Sequence, residues 1–306
     1  MAKHGMITVN ARNNLAREKI KNIINALPDP IFYQVKYFYT HGRVCDFSRP
    51  KKFSEKILHR MRFPQPIFSI IADKIEVRCY IDKAVGKKYL VPALLVCDKV
   101  HVDIFDRLPE SFVMKANHSA GQVRIVTQKS CEDLGELSAL ANSWLESDFS
   151  KTAKENHYKK IKPKIIFEQA LLSNGQPPAD YKFNVFNPKD GSAPYIFIQH
   201  IQDRLGETTQ DLYLEDWSPA PFARRGQRSS GERVSRPAEL DEMLLVAKKV
   251  SEPFGYLRVD FYLHEGRIYI GELTLTPAGG NYTFAPSEWD EVLGEKFGWP
   301  EAIVSN

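Results

Sequence analysis

Hydrophobic residues recur at helical spacing in four separate stretches of the chain. Residues 11–27 alternate apolar positions with Arg and Lys, which predicts an amphipathic, basic helix. The stretches 131–147 and 239–250 have the same period. A fourth helix should begin after Asp73, which can cap it together with Glu76, and should end at Gly86.

Apolar runs of strand length alternate with these helices. The segment between residues 206 and 236 is polar and rich in Arg, which predicts a loop, and no internal repeat is evident. The pattern predicts an α+β fold with mostly antiparallel strands. The predicted strands cover residues 93–98, 163–172, 181–187, 194–201, 258–263 and 271–277, and residues 112–126 contain two further strand-like runs separated by a short loop.

The last two strands, "RVDFYL" and "GELTLTP", are expected to pair as a hairpin. Arg258 and Asp260 share one strand face, as do Glu272 and Thr274 on the next strand. A three-residue turn with Gly266 in the left-handed conformation would bring both polar faces to the same side. Two carboxylates would then converge beside an arginine, an arrangement that Mg²⁺ with phosphate oxygens stabilises. The alternative is a solvated outer face with a simple Arg to Asp pair.

Composition excludes several classes of protein. The 306 residues are 43% hydrophobic, and 42 basic against 38 acidic residues leave a net charge of +4. This balance is too small for a dedicated nucleic-acid binder, although the first 90 residues are basic. No long apolar run predicts a transmembrane segment or a signal peptide, so we expect a cytoplasmic protein. Four scattered cysteines favour buried free thiols over zinc or disulfides.

Six short motifs in a fixed order resemble the ATP-grasp superfamily, and most closely its TupA-like branch. They are "SRPKKFSEKI", "ADKIEVR", "VMKANHSAGQ", "FEQAL", "DYKFNVF" and "LRVDFY" with "GELTLTP". The resemblance extends over residues 47–290. It implies an ATP-grasp fold with two α+β lobes clasping ATP, preceded by an N-terminal helical region. We expect that region to cover residues 1–70 and the ATP-grasp domain residues 71–306, with a hinge near 168–171.

The resemblance assigns nucleotide-binding roles to several residues. Lys74 and Lys115 match lysines that reach ATP phosphates; taken alone, Lys115 is an ordinary strand-end lysine. "HSAGQ" matches the glycine-rich flap, although Ser119 and Ala120 stand where glycine or serine is usual and only Gly121 remains. Asp180 is a candidate for the ribose hydroxyls, with a turn residue as the alternative, and Lys182 for phosphate or product charge. The hinge that would hold adenine comprises Glu168, Gln169, Ala170 and Leu171.

The resemblance also implies the residues of the reaction centre. Asp260 and Glu272 match carboxylates that bind Mg²⁺, and Thr274 stands where an Asn usually completes the metal site. Arg258, with Lys115, is implied in catalysis, facing the charge that develops at the reacting carbonyl. The segment Thr276 to Gly280 would supply backbone N–H groups to the substrate. Asp203 and Arg204 could touch substrate, with a turn as the equal alternative.

The activity implied is ATP-dependent ligation of a carboxylate to an amine through an acyl phosphate, in bacterial surface polysaccharide biosynthesis. The partners would be a small or glycan-linked carboxylate and an amine, without nucleic acid, and the resemblance allows peripheral contact with polysaccharide assembly machinery. Two alternatives stay open: an ATP-grasp kinase that phosphorylates a sugar hydroxyl, and a non-catalytic nucleotide- or glycan-binding accessory protein.

Overall fold

The computed structural model describes residues 24–173, 175–202 and 208–301. Within these ranges the strands form two larger sheets, of four and five strands, and a two-stranded one. Every pairing between these strands is antiparallel. The α+β fold predicted from the sequence is confirmed. The predicted helix over residues 11–27 lies outside the described residues except for its last four.

The first lobe is built on the four-stranded sheet, with strand order β1-β4-β2-β3. The helix α5 (Leu134–Leu145) packs on one face, where Leu137 and Ala141 contact Phe112 and Phe167 within one apolar cluster. The carboxylate of Asp133 accepts a hydrogen bond from the Glu136 N–H and so caps this helix. The strands are β1 (Ala93–Cys97), β2 (Phe112–Ala116), β3 (Val123–Val126) and β4 (Ile165–Gln169).

The second lobe is built on the five-stranded sheet, with strand order β10-β9-β5-β6-β7. The helix α7 (Leu240–Ser251) packs on one face, and Met243 and Val250 belong to the same apolar cluster as Val259 and Phe261. The opposite face carries the polar residues of the predicted site. The strands are β5 (Asp180–Phe186), β6 (Tyr195–Gln202), β7 (Thr209–Leu214), β8 (Ala223–Arg224), β9 (Tyr256–His264), β10 (Arg267–Thr274) and β11 (Phe284–Ala285), of which β8 pairs with β11.

Helices before β1 attach to the second lobe. Phe53 packs among aromatic rings that include Phe186 and Tyr256. In the described part of the chain, no helix combines the length and the apolar character that crossing a bilayer requires. The helices are α1 (Asp29–His41), α2 (Phe53–Arg62), α3 (Pro66–Ala72), α4 (Val77–Val85), α5 (Leu134–Leu145), α6 (Phe149–Ala153), α7 (Leu240–Ser251) and α8 (Trp289–Lys296), and the 3₁₀ segments are Lys87–Tyr89, Val102–Arg107, Lys129–Cys131, Asn156–Lys160 and Pro277–Gly280.

The polar segment between residues 206 and 236 is not simply a loop, as the sequence predicted. Residues 209–214 form β7, the outer strand of the five-stranded sheet, and residues 223–224 form β8. The sequence "TQDLYL" buries only Gln210 and Tyr213. An edge strand with so few buried side chains lacks the apolar alternation by which strands are recognised. Asp203 and Arg204 lie outside the described residues.

The cysteines are free, as predicted, but most of them are not buried. Cys45 is buried, Cys97 is half-buried, and Cys79 and Cys131 are exposed. The expectation of buried thiols was therefore wrong for Cys79 and Cys131, because both lie on the outer sides of local elements rather than toward a core.

Candidate active site

The turn between β9 and β10 contains two residues instead of the three that the sequence predicted. His264 pairs with Arg267, and the two residues between them, Glu265 and Gly266, have φ angles of 51° and 69°. Two left-handed residues form a turn that suits the twist of the strands. With this turn alone, Glu272 would pair with Val259 and point to the core side, because paired residues share one face of a sheet.

A β-bulge at Gly271 returns Glu272 to the polar face of the sheet. The pairing shifts between Ile270 and Glu272, so that Glu272 lies opposite Asp260. A Cβ on Gly271 would lie 2.4 Å from Cε2 of Tyr262. Glycine is therefore required where the ring of Tyr262 crosses the bulge. The two carboxylates do converge, but the bulge produces the convergence and the turn does not.

Two rows of polar residues cross the five-stranded sheet on this face. In the first row Glu272 is paired with Asp260, and Asp260 with Lys182. In the second row Thr274 is paired with Arg258, and Arg258 with Asn184. Directly opposite side chains on antiparallel strands lie close enough to interact. The sheet thus places carboxylates, cations and neutral donors in one patch.

Asp260 is tied to two cations. Its carboxylate accepts hydrogen bonds from Nε and Nη2 of Arg258, at 2.6 and 2.8 Å, and from Nζ of Lys182. Burial alone would raise the pKa of Asp260, but Arg258 and Lys182 together hold that pKa below its usual value. Asp260 is therefore ionised, and both of its oxygens are already engaged.

Glu272 is the more accessible carboxylate, with a third of its side chain exposed. Its oxygens lie 3.7 Å from Nζ of Lys74 and 3.5 Å from Nη2 of Arg258. The same Nη2 donates to the Thr274 hydroxyl at 2.9 Å. Burial lowers the pKa of Lys74, the nearby Lys115 lowers it further, and Glu272 opposes the change.

The side-chain oxygens of Glu272, Thr274 and Asp260 are of the kind that Mg²⁺ prefers as ligands. Carboxylate and hydroxyl oxygens are hard ligands, and Mg²⁺ is commonly bound by one or two carboxylates plus phosphate oxygens. Glu272 and Thr274 could offer oxygens directly, whereas Asp260 could do so only by exchanging a hydrogen bond from Lys182 or Arg258. Among the described residues, no group of three or more His, Cys, Asp or Glu side chains is arranged to hold a metal. A metal here would depend on ligands that the substrate supplies.

Lys115 and Glu168 form a buried ion pair on neighbouring strands of the first lobe. Nζ of Lys115 lies 2.6 Å from one oxygen of Glu168, and Arg78 donates to the other at 3.0 Å. Burial would lower the pKa of Lys115, but Glu168 more than offsets this and raises it. Arg78 was not singled out from the sequence. Its spacing of four residues from Lys74, within the helix that the sequence predicts after Asp73, was the available signal.

The predicted flap is anchored to the start of α4. Nζ of Lys74 donates to the carbonyl of Ser119 at 2.5 Å, and the Asn117 side-chain amide donates to Asp73 at 3.0 Å. Ser119 is fully buried, whereas Gly121 is exposed and left-handed, with φ of 90°. Asp73 also accepts from the Ile75 N–H at 2.8 Å, within the turn that precedes α4. The predicted capping box of Asp73 and Glu76 was wrong, because α4 begins at Val77 with Glu76 at the N-cap position and no side chain caps it.

A cleft runs between the two lobes. Its apolar end contains a cavity of about 70 Å³, and Lys115 and Glu168 also line an adjoining charged cavity of about 20 Å³. The predicted hinge residues Gln169 and Leu171 line the apolar end, and Ala170 between them is half-buried. The other wall of the apolar end includes Val91, Val113, Val123, Pro177 and Tyr262. The charged cavity is lined by Lys74, Arg78, Gly271 and Glu272 among others.

In this conformation, neither Asp180 nor the loop after β10 presents to the cleft the groups that its predicted role requires. Asp180 is fully buried, 3.6 Å from Nζ of Lys182, so a ribose could reach it only if neighbouring groups moved. In the loop, the Gly279 N–H donates to the Thr276 carbonyl at 3.0 Å. That N–H group is therefore engaged within the loop and is not directed at a substrate in this conformation.

Comparison with solved structures finds similar chains with ligase activities. D-alanine–D-alanine ligase from Bacillus anthracis in complex with ATP is 19% identical, with a TM-score of 0.41 over 69% of this chain and 56% of that one. D-Alanine–D-alanine ligase from Helicobacter pylori is 15% identical, with a TM-score of 0.43 over 76% of this chain and 60% of that one. Phosphoribosylamine–glycine ligase from Thermotoga maritima is 14% identical, with a TM-score of 0.43 over 78% of this chain and 58% of that one. This chain spans less than two thirds of each. No protein of curated function matches the sequence.

The family assignment comes from the sequence match and agrees with the two lobes described above. The TupA-like ATP-grasp family matches residues 55–298. That range contains both larger sheets and every site residue predicted from the sequence. The chain therefore belongs to the TupA-like ATP-grasp family and has the ATP-grasp fold.

Proposed function

We propose that this protein is an ATP-dependent carboxylate–amine ligase that works through an acyl phosphate. The observation that carries the proposal is the cleft between the lobes. One end is apolar, and the other brings Lys74, Lys115 and Arg258 close to Glu272 and Asp260. A nucleotide has the matching polarity, with a flat base at one end and phosphates at the other.

The apolar end would hold adenine. Val91, Leu171 and Tyr262 offer apolar surface to the faces of the base, and the hinge backbone near Ala170 would meet its edge. Lys115 and Lys74 would then reach the phosphates. Each lysine is already paired with a carboxylate, so phosphate binding would exchange one anionic partner for another rather than bury a new charge.

The reaction would take place at the charged end of the cleft. ATP would supply the phosphoryl group that converts a carboxylate to an acyl phosphate, and Mg²⁺ held by Glu272, Thr274 and Asp260 would neutralise phosphate charge. Arg258 is fixed by Asp260 and Thr274, and its guanidinium would stabilise the charge on the reacting carbonyl. No side-chain nucleophile is needed, because a substrate carboxylate is itself nucleophilic at neutral pH.

The proposal extends to the setting of the reaction. The family resemblance favours surface polysaccharide biosynthesis, with a small or glycan-linked carboxylate and an amine as substrates. Consumption of ATP favours the cytoplasm.

Hydroxylamine trapping tests the reaction. The protein, Mg²⁺, ATP and hydroxylamine are incubated with a panel of uronic acids, amino acids and their oligomers, and the products are identified by mass spectrometry. A ligase should yield ADP, phosphate and the hydroxamate of one carboxylate, and Arg258→Lys should suppress the hydroxamate far more than ADP binding. A stable phosphorylated sugar would establish a kinase instead. Nucleotide binding without any turnover would favour an accessory protein.

A further inference from the structure

A cavity of about 110 Å³ lies outside the cleft, where the C-terminal end of α1 meets the two-stranded sheet and α8. It shares no lining residue with the apolar or the charged cavity of the cleft. One buried water needs about 10–15 Å³, so this cavity has room for a group of several non-hydrogen atoms. It is therefore large enough for a small ligand, and the proposed function assigns it none.

Arg225, which directly follows β8, presents free donor groups at this cavity. Its backbone N–H donates to the Thr283 carbonyl at 2.9 Å, and its Nε donates to the Phe284 carbonyl at 3.0 Å. Arg225 is exposed, and neither of its Nη atoms has an acceptor among the described residues. The guanidinium is therefore held through its Nε, while two NH₂ groups remain available.

A second arginine, Arg43, lies just beyond the end of α1 and lines the same cavity. Its Nη2 donates to Asp290 at 2.9 Å and its Nε to the Tyr37 hydroxyl at 3.4 Å, so Nη1 remains. Among the described residues, Asp290 is the one carboxylate that lines the cavity. Asp290 also accepts from the Ser54 N–H at 2.9 Å and from the Ser54 hydroxyl at 2.7 Å. Two arginines against one carboxylate leave a net positive charge, and both oxygens of that carboxylate are already engaged.

Neutral polar groups complete the lining. Thr283 and Ser287 add hydroxyl groups, and Ser287 is exposed. The ring of His41 stacks on Tyr37, with centroids 4.4 Å apart, and its Nε2 is buried without a hydrogen-bond partner. A buried polar atom without a partner is costly, which favours a bound ligand or water beside it. The cavity thus combines positive charge with several donors, and its one described carboxylate is not free.

We propose that this cavity binds a phosphate group. The planar guanidinium of Arg225 matches two phosphate oxygens, and Arg43 and the hydroxyl of Ser287 come from other elements. A tetrahedral phosphate can accept from all three, whereas a carboxylate has only two oxygens. The ligand is inorganic phosphate or the phosphate of a phosphorylated metabolite, which present the same oxygens. This inference goes beyond the proposed ligase function and does not depend on it, because the cavity and the cleft share no residue.

Calorimetry at constant ionic strength tests the site. Wild-type protein is titrated with inorganic phosphate, with glycerol 3-phosphate and with acetate, each with and without ADP and Mg²⁺. At least one of the two phosphates should bind saturably under both conditions, and acetate should bind at least about tenfold more weakly, because it leaves donors unpaired. Tighter binding of glycerol 3-phosphate would assign the site to a phosphorylated metabolite, and tighter binding of inorganic phosphate would assign it to free phosphate.

Variants separate this cavity from the cleft. Arg225→Gln should weaken phosphate binding at least about tenfold, because it removes charge-assisted hydrogen bonds, and should keep the melting temperature of the free protein. Ser287→Asp, which adds a negative charge at an exposed position of the lining, should abolish binding even if Arg225→Gln does not fold. Arg233→Gln, at an exposed arginine of the same polar segment, is the matched control and should bind phosphate as wild type does.

Three results would overturn the proposal. They are the absence of saturable phosphate binding, equal phosphate affinity in wild type and Arg225→Gln, and equal losses in Arg225→Gln and Arg233→Gln, which would show only general attraction of anions. Acetate binding as tight as phosphate binding would likewise overturn the assignment of phosphate. None of these measurements requires turnover, so a failure of the ligase proposal in the hydroxylamine experiment remains distinguishable from a failure of this one.

Discussion

At the scale of single residues, the cations that line the cleft already have anionic partners. Lys115 is held by Glu168, and Asp260 is held by Arg258 and Lys182. Buried ion pairs of this kind are costly to break but need not add to stability. A substitution in the cleft will therefore change both folding and binding, and paired substitutions are needed to separate the two effects.

The first prediction concerns Lys115. Lys115→Met should lower the free energy of unfolding by about 2 kcal/mol, because Glu168 keeps only Arg78 as a partner. It should also weaken ATP binding and the thermal stabilisation that ATP produces. In the double variant Lys115→Met with Glu168→Gln, denaturation should show most of the stability restored while ATP affinity by calorimetry stays low. Full ATP affinity in either variant would remove Lys115 from the nucleotide site.

The second prediction concerns the metal. Glu272→Gln should raise the Mg²⁺ concentration needed for half-maximal ADP binding by at least tenfold, because Glu272 is the carboxylate with exposed oxygens. Calorimetric ADP titrations at several Mg²⁺ concentrations measure this without any need for substrate. Glu291→Gln, at an exposed carboxylate on α8, is the matched control. An unchanged Mg²⁺ requirement would show that Glu272 is not a ligand.

At the scale of elements, the β9–β10 hairpin decides whether the carboxylates meet. Its two-residue turn alone would send Glu272 to the core side, and the bulge at Gly271 returns it to the polar side. At the bulge, Gly271 leaves no room for a Cβ, which would lie 2.4 Å from Cε2 of Tyr262. The position of the proposed metal ligand Glu272 and the wall of the apolar end of the cleft thus meet at one glycine.

The third prediction tests that coupling. Gly271→Ala should destabilise the protein by about 1–3 kcal/mol, since the added methyl group forces the Tyr262 ring aside. It should also weaken ATP binding. In a Tyr262→Ala background the same substitution should cost much less, because the obstructing ring is gone. A double-mutant cycle by urea denaturation measures the difference. An equal cost in both backgrounds would mean that the contact does not determine the need for glycine.

At the scale of the whole molecule, the N-terminal helices hold the loop after β10 in place. Arg60 of α2 is almost fully buried and donates to the carbonyls of Leu275 and Tyr256, at 2.9 and 2.8 Å. Leu58 supports Gly280, and Lys36 of α1 approaches Gly279. These helices therefore fix the loop after β10, and the charges gathered there affect global stability.

The fourth prediction is a pH dependence of stability. Because the pKa of Glu155 is raised from 4.5 to about 7, the folded state binds more protons than the unfolded state between these values. The contribution of Glu155 is greatest below pH 4.5 and falls by about 3 kcal/mol as pH rises through 7. Lys36, His157, Tyr158 and Glu272 face it and remain in both proteins, so their titration largely cancels on comparison.

Glu155→Gln should therefore gain stability relative to wild type as the pH rises from 5 to 8. Urea denaturation of both proteins at each pH measures the difference. A difference that stays constant across this range would show that Glu155 is ionised throughout and that its burial is compensated.

The sequence by itself determined the local elements and the chemistry of the site. Apolar periodicity located helices such as α5 and α7 and the strands with buried side chains, since a segment that must bury one face shows that face in its spacing. Ordered motifs indicated the family and, with it, residues such as Lys115 and Asp260. The apolar periodicity and the motifs both depend on residues that lie close together in the chain.

Only the tertiary structure decided how distant residues meet. The ring of Tyr262 lies across the hairpin against the bulge at Gly271, and β7 is a strand because the edge of β6 offers it hydrogen-bond partners. Arg78 and Lys115 reach Glu168 from different elements, and Lys36 and Glu155 meet at Gly279 although each lies far from it in the chain. None of these contacts leaves a periodic signal, because each depends on packing between segments whose relative positions no local pattern encodes.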